Sequence, residues 1–357
     1  MKKLLIATEE PLGYQTDFFN WCLNLNSVYS ITYLCFTSNL PLISVTNVNV
    51  IQIDTNAGRI KKEILYFKKA KLLIKHGNYN NIIVTNNKRS TLLKLVFKDK
   101  KVIHDIRTIA VFQEKWKKIA FNLNWFIGAL VYTQNTIITE SIAEFYRIPY
   151  RKYSVLPLGA NIISKQNKNF EVFNLLYIGV IRDNFIESIK GFAKFIKNNK
   201  YATYTIIGYN DGSSSSDTVL KLKETIVDLQ VEKYVRYVGR KNHFESIEFF
   251  DSCNVGVSFI PTLKHFDNQP PTKNYEYLLS GMICIATSTS ANKKIINDEN
   301  GIIVNDNSDS FAEGLNILYE NRLKFNSFKI RQSQLNHQWS NIVEKSLKPV
   351  LNKFDNL

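Results

Sequence analysis

Short runs of Ile, Val and Leu, closed by polar turns, recur along the chain and alternate with segments whose apolar positions repeat at helical spacing. Lys3–Thr8, Ile31–Phe36, Val48–Ile53, Asn81–Thr85, Lys101–His104, Thr136–Thr139 and Ser154–Leu158 read as strands. Tyr14–Leu25, Gly58–Lys75, Ser90–Phe97, a stretch reaching about Tyr132, and Ser141–Tyr146 read as helices between them. Continuous apolar runs bounded by turns are what parallel strands buried on both faces look like. Their alternation with helices argues βαβ units. Residues 159–171 (GANIISKQNKNFE) are polar and without period, after which the pattern restarts with strands at Asn174–Gly179, Thr203–Gly208, Val235–Gly239, Val255–Ile260, Ile283–Thr287 and Gly301–Val304. The expected organisation is an α/β fold of two doubly wound domains, 1–158 and 173–335, joined by a linker at 159–172 and followed by a C-terminal helical segment at 336–357.

The 45% hydrophobic and 22% charged composition, with only 14 Gly and 8 Pro in 357 residues, excludes a disordered or collagenous chain. No apolar stretch approaches the length of a transmembrane helix. The opening MKKLLIATEE is basic and then apolar, but the apolar run stops at Glu9, too short for a signal-peptide core, and reads as a first strand. Cys22, Cys35, Cys253 and Cys284 are scattered without CxxC spacing, so neither a disulfide framework nor a zinc site is expected, and a cytoplasmic setting fits. The net charge of +15 is uneven: residues 1–152 hold 22 basic against 10 acidic side chains. That asymmetry calls for an anionic partner of the first domain only.

Several chemical signatures are missing. The chain has no GxGxxG, Walker A, GxSxG, HExxH or DxD pattern. Its most informative stretch is PPTKNYEYLLSGMICIAT at 270–287. Pro271 and Thr272 open a helix, Gly281 stops it and a buried strand follows. A helix N-terminus offers free N–H groups and the positive end of a dipole to an anion, and Lys273 adds a full charge there. Glu276, one turn on, has the chemistry to accept two hydroxyl hydrogen bonds from a ribose.

Pro271, Lys273, Glu276, Tyr277 and Gly281 together resemble a motif of the family-four retaining glycosyltransferases (glycosyl transferases group 1), whose fold is GT-B. The resemblance implies two Rossmann-like domains facing a central cleft and a nucleotide diphosphate sugar as donor, with retention of anomeric configuration and no metal or other cofactor. It implies donor contacts from Thr272, Lys273, Glu276 and Arg182, with Gly179, Gly208 and Gly239 at strand ends beside the nucleotide. Lys190 is a weaker competitor for the diphosphate. His104, in HDIRT after a buried strand, is the implied catalytic residue, with Gly13, Asp105 and Arg107 lining the acceptor side. Asp105 and Arg107 also read as a salt bridge that holds their loop. Asn268 stands where many members carry a second glutamate near the donor sugar.

The basic excess has an address in this frame. Arg59, Lys61, Lys62, Lys68, Lys69, Lys71 and Lys75 interleave with apolar residues, as in helices that lie on anionic membranes. Trp116-Lys-Lys118 and Trp125-Phe126 are further interfacial candidates. The acceptor expected is lipid-linked or an oligosaccharide, in cell-surface polysaccharide synthesis at the inner membrane face. No nucleic-acid module is present. Two rivals remain, a nucleotide-sugar epimerase on the same fold and a non-catalytic nucleotide-sugar-binding partner subunit.

Overall fold

The computed structural model describes residues 1–41, 43–54, 58–85, 90–97, 101–109, 115–210, 217–241, 243–263, 266–267 and 269–353. The chain divides into two compact units, residues Met1–Gly159 with Trp339–Leu357, and Ala160–Gln338.

The first unit is built from β1 (Lys2–Ala7), α1 (Thr16–Leu25), β2 (Tyr29–Phe36), β3 (Val48–Ile53), α2 (Arg59–His76), β4 (Asn81–Thr85), α3 (Ser90–Val96), β5 (Val102–Ile106), α4 (Lys115–Val131), β6 (Gln134–Ile137), α5 (Glu140–Phe145) and β7 (Tyr153–Val155). Its sheet runs β3-β2-β1-β4-β5-β6-β7, with every paired strand parallel. Apolar side chains leave both faces, as the unbroken runs imply. Leu4, Ile6 and Ile103 join Phe18 and Trp21 of α1 in one core. Leu5, Ala7 and Val102 join Tyr66, Ala70 and Ile74 of α2 and Leu93 of α3 in another.

The second unit holds β8 (Asn174–Val180), α6 (Ile186–Ile196), β9 (Thr203–Tyr209), α7 (Thr218–Asp228), β10 (Val235–Gly239), α8 (His243–Ser252), β11 (Val255–Ser258), α9 (Thr272–Leu279), β12 (Ile283–Thr287), α10 (Ser290–Lys293), β13 (Gly301–Val304), α11 (Ser308–Asn321) and α12 (Ser327–Ser333). Its sheet, β10-β9-β8-β11-β12-β13, is also parallel throughout. In both units the strand order reverses direction once, between β1 and β4 and between β8 and β11. Open α/β sheets bind ligands beyond the carboxyl ends of the strands at such a point.

Residues 160–172 are not a free tether. Ser164 N–H donates to Ser280 Oγ at 3.2 Å and Lys168 N–H to Ser327 Oγ at 2.9 Å. The Lys168 ammonium caps the carbonyl end of α8 at Phe250. These bonds satisfy a polar, aperiodic backbone on the second unit's own surface. The C-terminal segment, α13 (Trp339–Ile342), a π-turn at Val343–Leu347 and α14 (Lys348–Lys353), places Trp339, Leu347 and Leu351 in the core of the first unit beside α1.

Candidate active site

In the second unit β8 and β11 pair only through Leu175 and Leu176 and then part. Tyr277 of α9 bridges the parted strands. Its hydroxyl accepts from Ile178 N–H at 3.0 Å and donates to the Val257 carbonyl at 3.3 Å. Gly256 makes room for the ring, since a Cβ there would lie 2.2 Å from Tyr277 Cγ. The tyrosine of the motif is thus the bolt that fixes α9 over the switch point.

That bolt sets where the helix points its first turn. Pro271 precedes Thr272 with no side-chain cap, and the Thr272 and Lys273 amides have no acceptor among the described residues. Beside them, Gly179, next to last in β8, has φ +141°, and the Lys273 ammonium lies 3.1 Å from where its Cβ would be. Its register partner on β9 is Gly208, where a Cβ would come within 2.5 Å of the Gly179 carbonyl oxygen. Any side chain at either position would crowd the strand ends. Gly239 ends β10 at φ +78° with open space where its Cβ would be.

Aromatic faces line the cations at this edge. Lys273 Nζ sits 4.1 Å over the Tyr177 ring and Arg182 lies 5.0 Å over Phe266, so aromatic faces steady both cations. Burial lowers the Lys273 ammonium to about 8, with Cys284 and Glu276 opposing the shift and Arg182 reinforcing it. Burial raises the Glu276 carboxyl to about 7, and Lys273 only partly offsets this. Glu276 is half-buried and has no hydrogen bond or ion pair among the described residues. Lys190, the competing cation, is paired with Glu187 at 2.8 Å on the exposed side of α6. Asn268 lies outside the described residues. Its neighbour Asp267 accepts from Ser290 N–H at 2.8 Å and Ser290 Oγ at 2.7 Å, which caps α10.

The residues expected on the acceptor side give a different picture. His104 is the middle residue of β5, not its end, and has no exposed surface. Its Nδ1 is 2.9 Å from Asn135 Oδ1, and its ring stacks on Tyr132 at 4.7 Å. Gly128 of α4 closes over it, since a Cβ there would lie 2.9 Å from His104 Cε1. Burial lowers its pKa to about 4. The ring therefore sits neutral in the core, and the expected placement at a strand end is corrected: β5 runs on past His104 through Asp105 and Ile106.

That edge is occupied by an ion cluster. The Arg107 Nε donates to Asp105 Oδ2 at 2.9 Å and lies 3.4 Å from Asp17 Oδ2. Arg107 Nη1 donates to the Leu156 carbonyl at 2.9 Å, and the guanidinium covers the Trp21 ring at 4.7 Å. Thr136 Oγ1 donates to Asp105 Oδ1 at 2.6 Å. Asp105 and Arg107 thus tie α1, β5, β6 and the segment after β7 together. Gly13, at φ +93°, lies in the loop between β1 and α1 against Ile43.

Sequence reasoning missed Tyr177 and Phe266, because an aromatic in or beside an apolar run reads as core. It also missed Arg240, which lies 4.3 Å over Tyr209 at the end of β9. Among the described residues no cluster of His, Cys, Asp and Glu could hold a metal ion. All four cysteines are free and buried.

The two doubly wound parallel sheets define a GT-B fold. Residues 160–340, half of the chain, match the family described as glycosyl transferases group 1, and the chain belongs to that family of sugar-transferring enzymes. Solved structures agree over the whole length. The chain is similar to sucrose-phosphate synthase from Thermosynechococcus elongatus (TM-score 0.74, 12% identity, 100% of each chain). It is equally similar to a glycosyltransferase from Rickettsia africae (TM-score 0.74, 12% identity, 100% of this chain and 99% of that one). Anabaena Alr3699/HepE, solved with UDP and glucose, superposes at a TM-score of 0.75 with 12% identity over 99% of this chain and 100% of its own. No curated protein matches the sequence significantly.

Proposed function

We propose that the protein transfers a sugar from a nucleotide diphosphate sugar to a lipid-linked or oligosaccharide acceptor in polysaccharide synthesis, with retention of configuration and without a metal. The observation that carries the donor half is the open first turn of α9. Unpaired amides, the Lys273 ammonium and the unpartnered Glu276 carboxylate converge beside two glycine strand ends. Negative charge develops on a departing diphosphate, and Lys273, Arg182 and the helix N-terminus supply the compensating charge in place without reorganisation. Glu276 receives the ribose hydroxyls. UDP is the first probe to use, since Alr3699/HepE was solved with it. The retaining, metal-independent course rests on the motif and on this charge inventory. Thermal stabilisation by UDP, GDP and ADP ranks the bases, because a ligand that binds only the native state raises its stability by mass action. Incubation with a panel of nucleotide sugars, with and without EDTA, then distinguishes transfer or donor hydrolysis from sugar interconversion, the epimerase outcome, and from binding alone, the partner-subunit outcome. Loss of turnover in EDTA or inverted product stereochemistry counts against the metal-free and retaining parts.

A further inference from the structure

The expected membrane contact was the basic helix α2. Most of its lysines are exposed; of its apolar residues, Tyr66, Ala70 and Ile74 are spent on the first unit's core, while Ile60, Leu65 and Leu72 stay exposed. α4 carries the longer exposed apolar row, with α3 beside it. α4 buries Trp125, Gly128 and Ala129, yet its opposite face is also apolar. Trp116 is 69% exposed, Ile119 68% and Leu123 54%, and Ile127 and Leu130 continue the row toward the helix end. Spacings of three, four and seven residues put all five on one side of the helix. α3, which packs between α2 and α4, leaves Leu92, Leu95 and Val96 in solvent as well. A helix with apolar residues on two opposite faces lacks a cover for one of them, and an exposed row of this size marks an interaction surface.

The chemistry around the row identifies the cover. Neither α3 nor α4 contains an acidic residue. Lys115, Lys117 and Lys118 cluster at the start of α4, with Lys117 Nζ 5.5 Å over the Trp116 ring. α2 adds its own lysines with Glu63 as its one acidic residue. An apolar row tipped by Trp and rimmed chiefly by lysines complements hydrocarbon beneath anionic headgroups. We infer that the first unit docks on an anionic lipid bilayer through the outer face of α4 and the neighbouring α3, with the α2 lysines as an electrostatic rim. Among the described residues no helix is long and apolar enough to cross a membrane, so the row lies in the interface.

The test is co-sedimentation of the full chain with phosphatidylglycerol-containing and pure phosphatidylcholine vesicles. Wild-type protein is expected on the anionic vesicles, with a blue shift in tryptophan emission from Trp116, since Trp21, Trp125 and Trp339 are buried. The double variant W116S/L123S should lose at least tenfold in partitioning. K61Q/K62Q/K68Q/K69Q should lose only a few-fold, mimicked by high salt on wild type. Unchanged melting and an unchanged nucleoside diphosphate thermal shift show that each variant is folded, and they report on the donor reading separately. Wild-type sedimentation by folded W116S/L123S, or no vesicle binding by wild type, overturns the proposal. So does a dimer in ultracentrifugation that the same substitutions dissociate with no change in vesicle binding.

Discussion

Two strand ends, one in each unit, carry the ionic groups that matter, and they treat them oppositely. At the end of β5, Arg107 is enclosed by Asp105, Asp17, the Leu156 carbonyl and the Trp21 face. At the start of α9, Lys273 has an aromatic face, and the Glu276 carboxylate, only partly offset by the Lys273 charge, makes no hydrogen bond or ion pair among the described residues. A charge whose partners are already present contributes to the fold. A charge held half-buried without a partner weakens the fold and is kept for a ligand. The difference assigns structure to the first place and binding to the second.

The comparison can be broken most strongly at Asp105. Its removal leaves the Arg107 guanidinium buried with its chief partner gone, so Asp105→Ala should cost about 3–5 kcal/mol in urea denaturation. Nucleoside diphosphate binding by whatever remains folded should be unaffected; a stable variant with weakened binding would reverse the two roles. Lys273→Ala comes next. Loss of a charge-assisted contact should weaken nucleoside diphosphate binding by about 1.5–3 kcal/mol, roughly 10–150-fold, in calorimetry. Its melting temperature should not fall, because the ammonium makes no hydrogen bond or ion pair among the described residues.

Glu276→Gln sharpens the contrast through pH. The folded carboxyl is raised to about 7 from an ordinary value of 4.5, so the unfolded chain ionises first as pH rises. Ionisation therefore destabilises the native state progressively between those values and fully above the upper one. The amide variant should be more stable than wild type at pH 8 by roughly 2 kcal/mol, allowing for the group's partial exposure, and indistinguishable near pH 4.5. It should at the same time lose preference for ribose over deoxyribose nucleotides. A lower melting temperature at pH 8 would show that the carboxylate is structural. The smallest effect is expected at His104. His104→Phe keeps the stacking on Tyr132 and forfeits the Asn135 bond, a cost of about 1 kcal/mol. Sugar transfer should stay within threefold of wild type, and a tenfold fall would return the histidine to the chemistry.

The same contrast separates what was legible from what was not. The βαβ rhythm and the α9 motif are legible because each is local: runs of Ile and Val, and a Pro, Lys and Glu at fixed spacing. The end of β5 falls two residues beyond the expected His104 because it depends on which residue of VIHDI pairs last with β4 and β6. The residues at 160–172 read as a linker because polarity alone does not reveal partners as distant in sequence as Ser327. Charge counting favoured α2, whereas the exposed apolar row of α4 appears only once its other face is seen to be buried. The role of Tyr277 as a bolt needed the parted strands themselves.

The return of residues 339–357 to the first unit has a consequence for synthesis. Domains ordinarily fold in the order they leave the ribosome. Here the first half to emerge lacks Trp339, Leu347 and Leu351, the side chains that close its core over α1. At about 5–20 residues per second, on the order of 10–40 s of translation separates its last strand from those anchors. The second unit, contiguous in sequence, can be complete before the first. A nascent chain in that interval lacks the cover that Trp339, Leu347 and Leu351 give the α1 core, so chaperone capture and truncation damage should concentrate on the amino-terminal half, although the missing residues lie beyond the second unit.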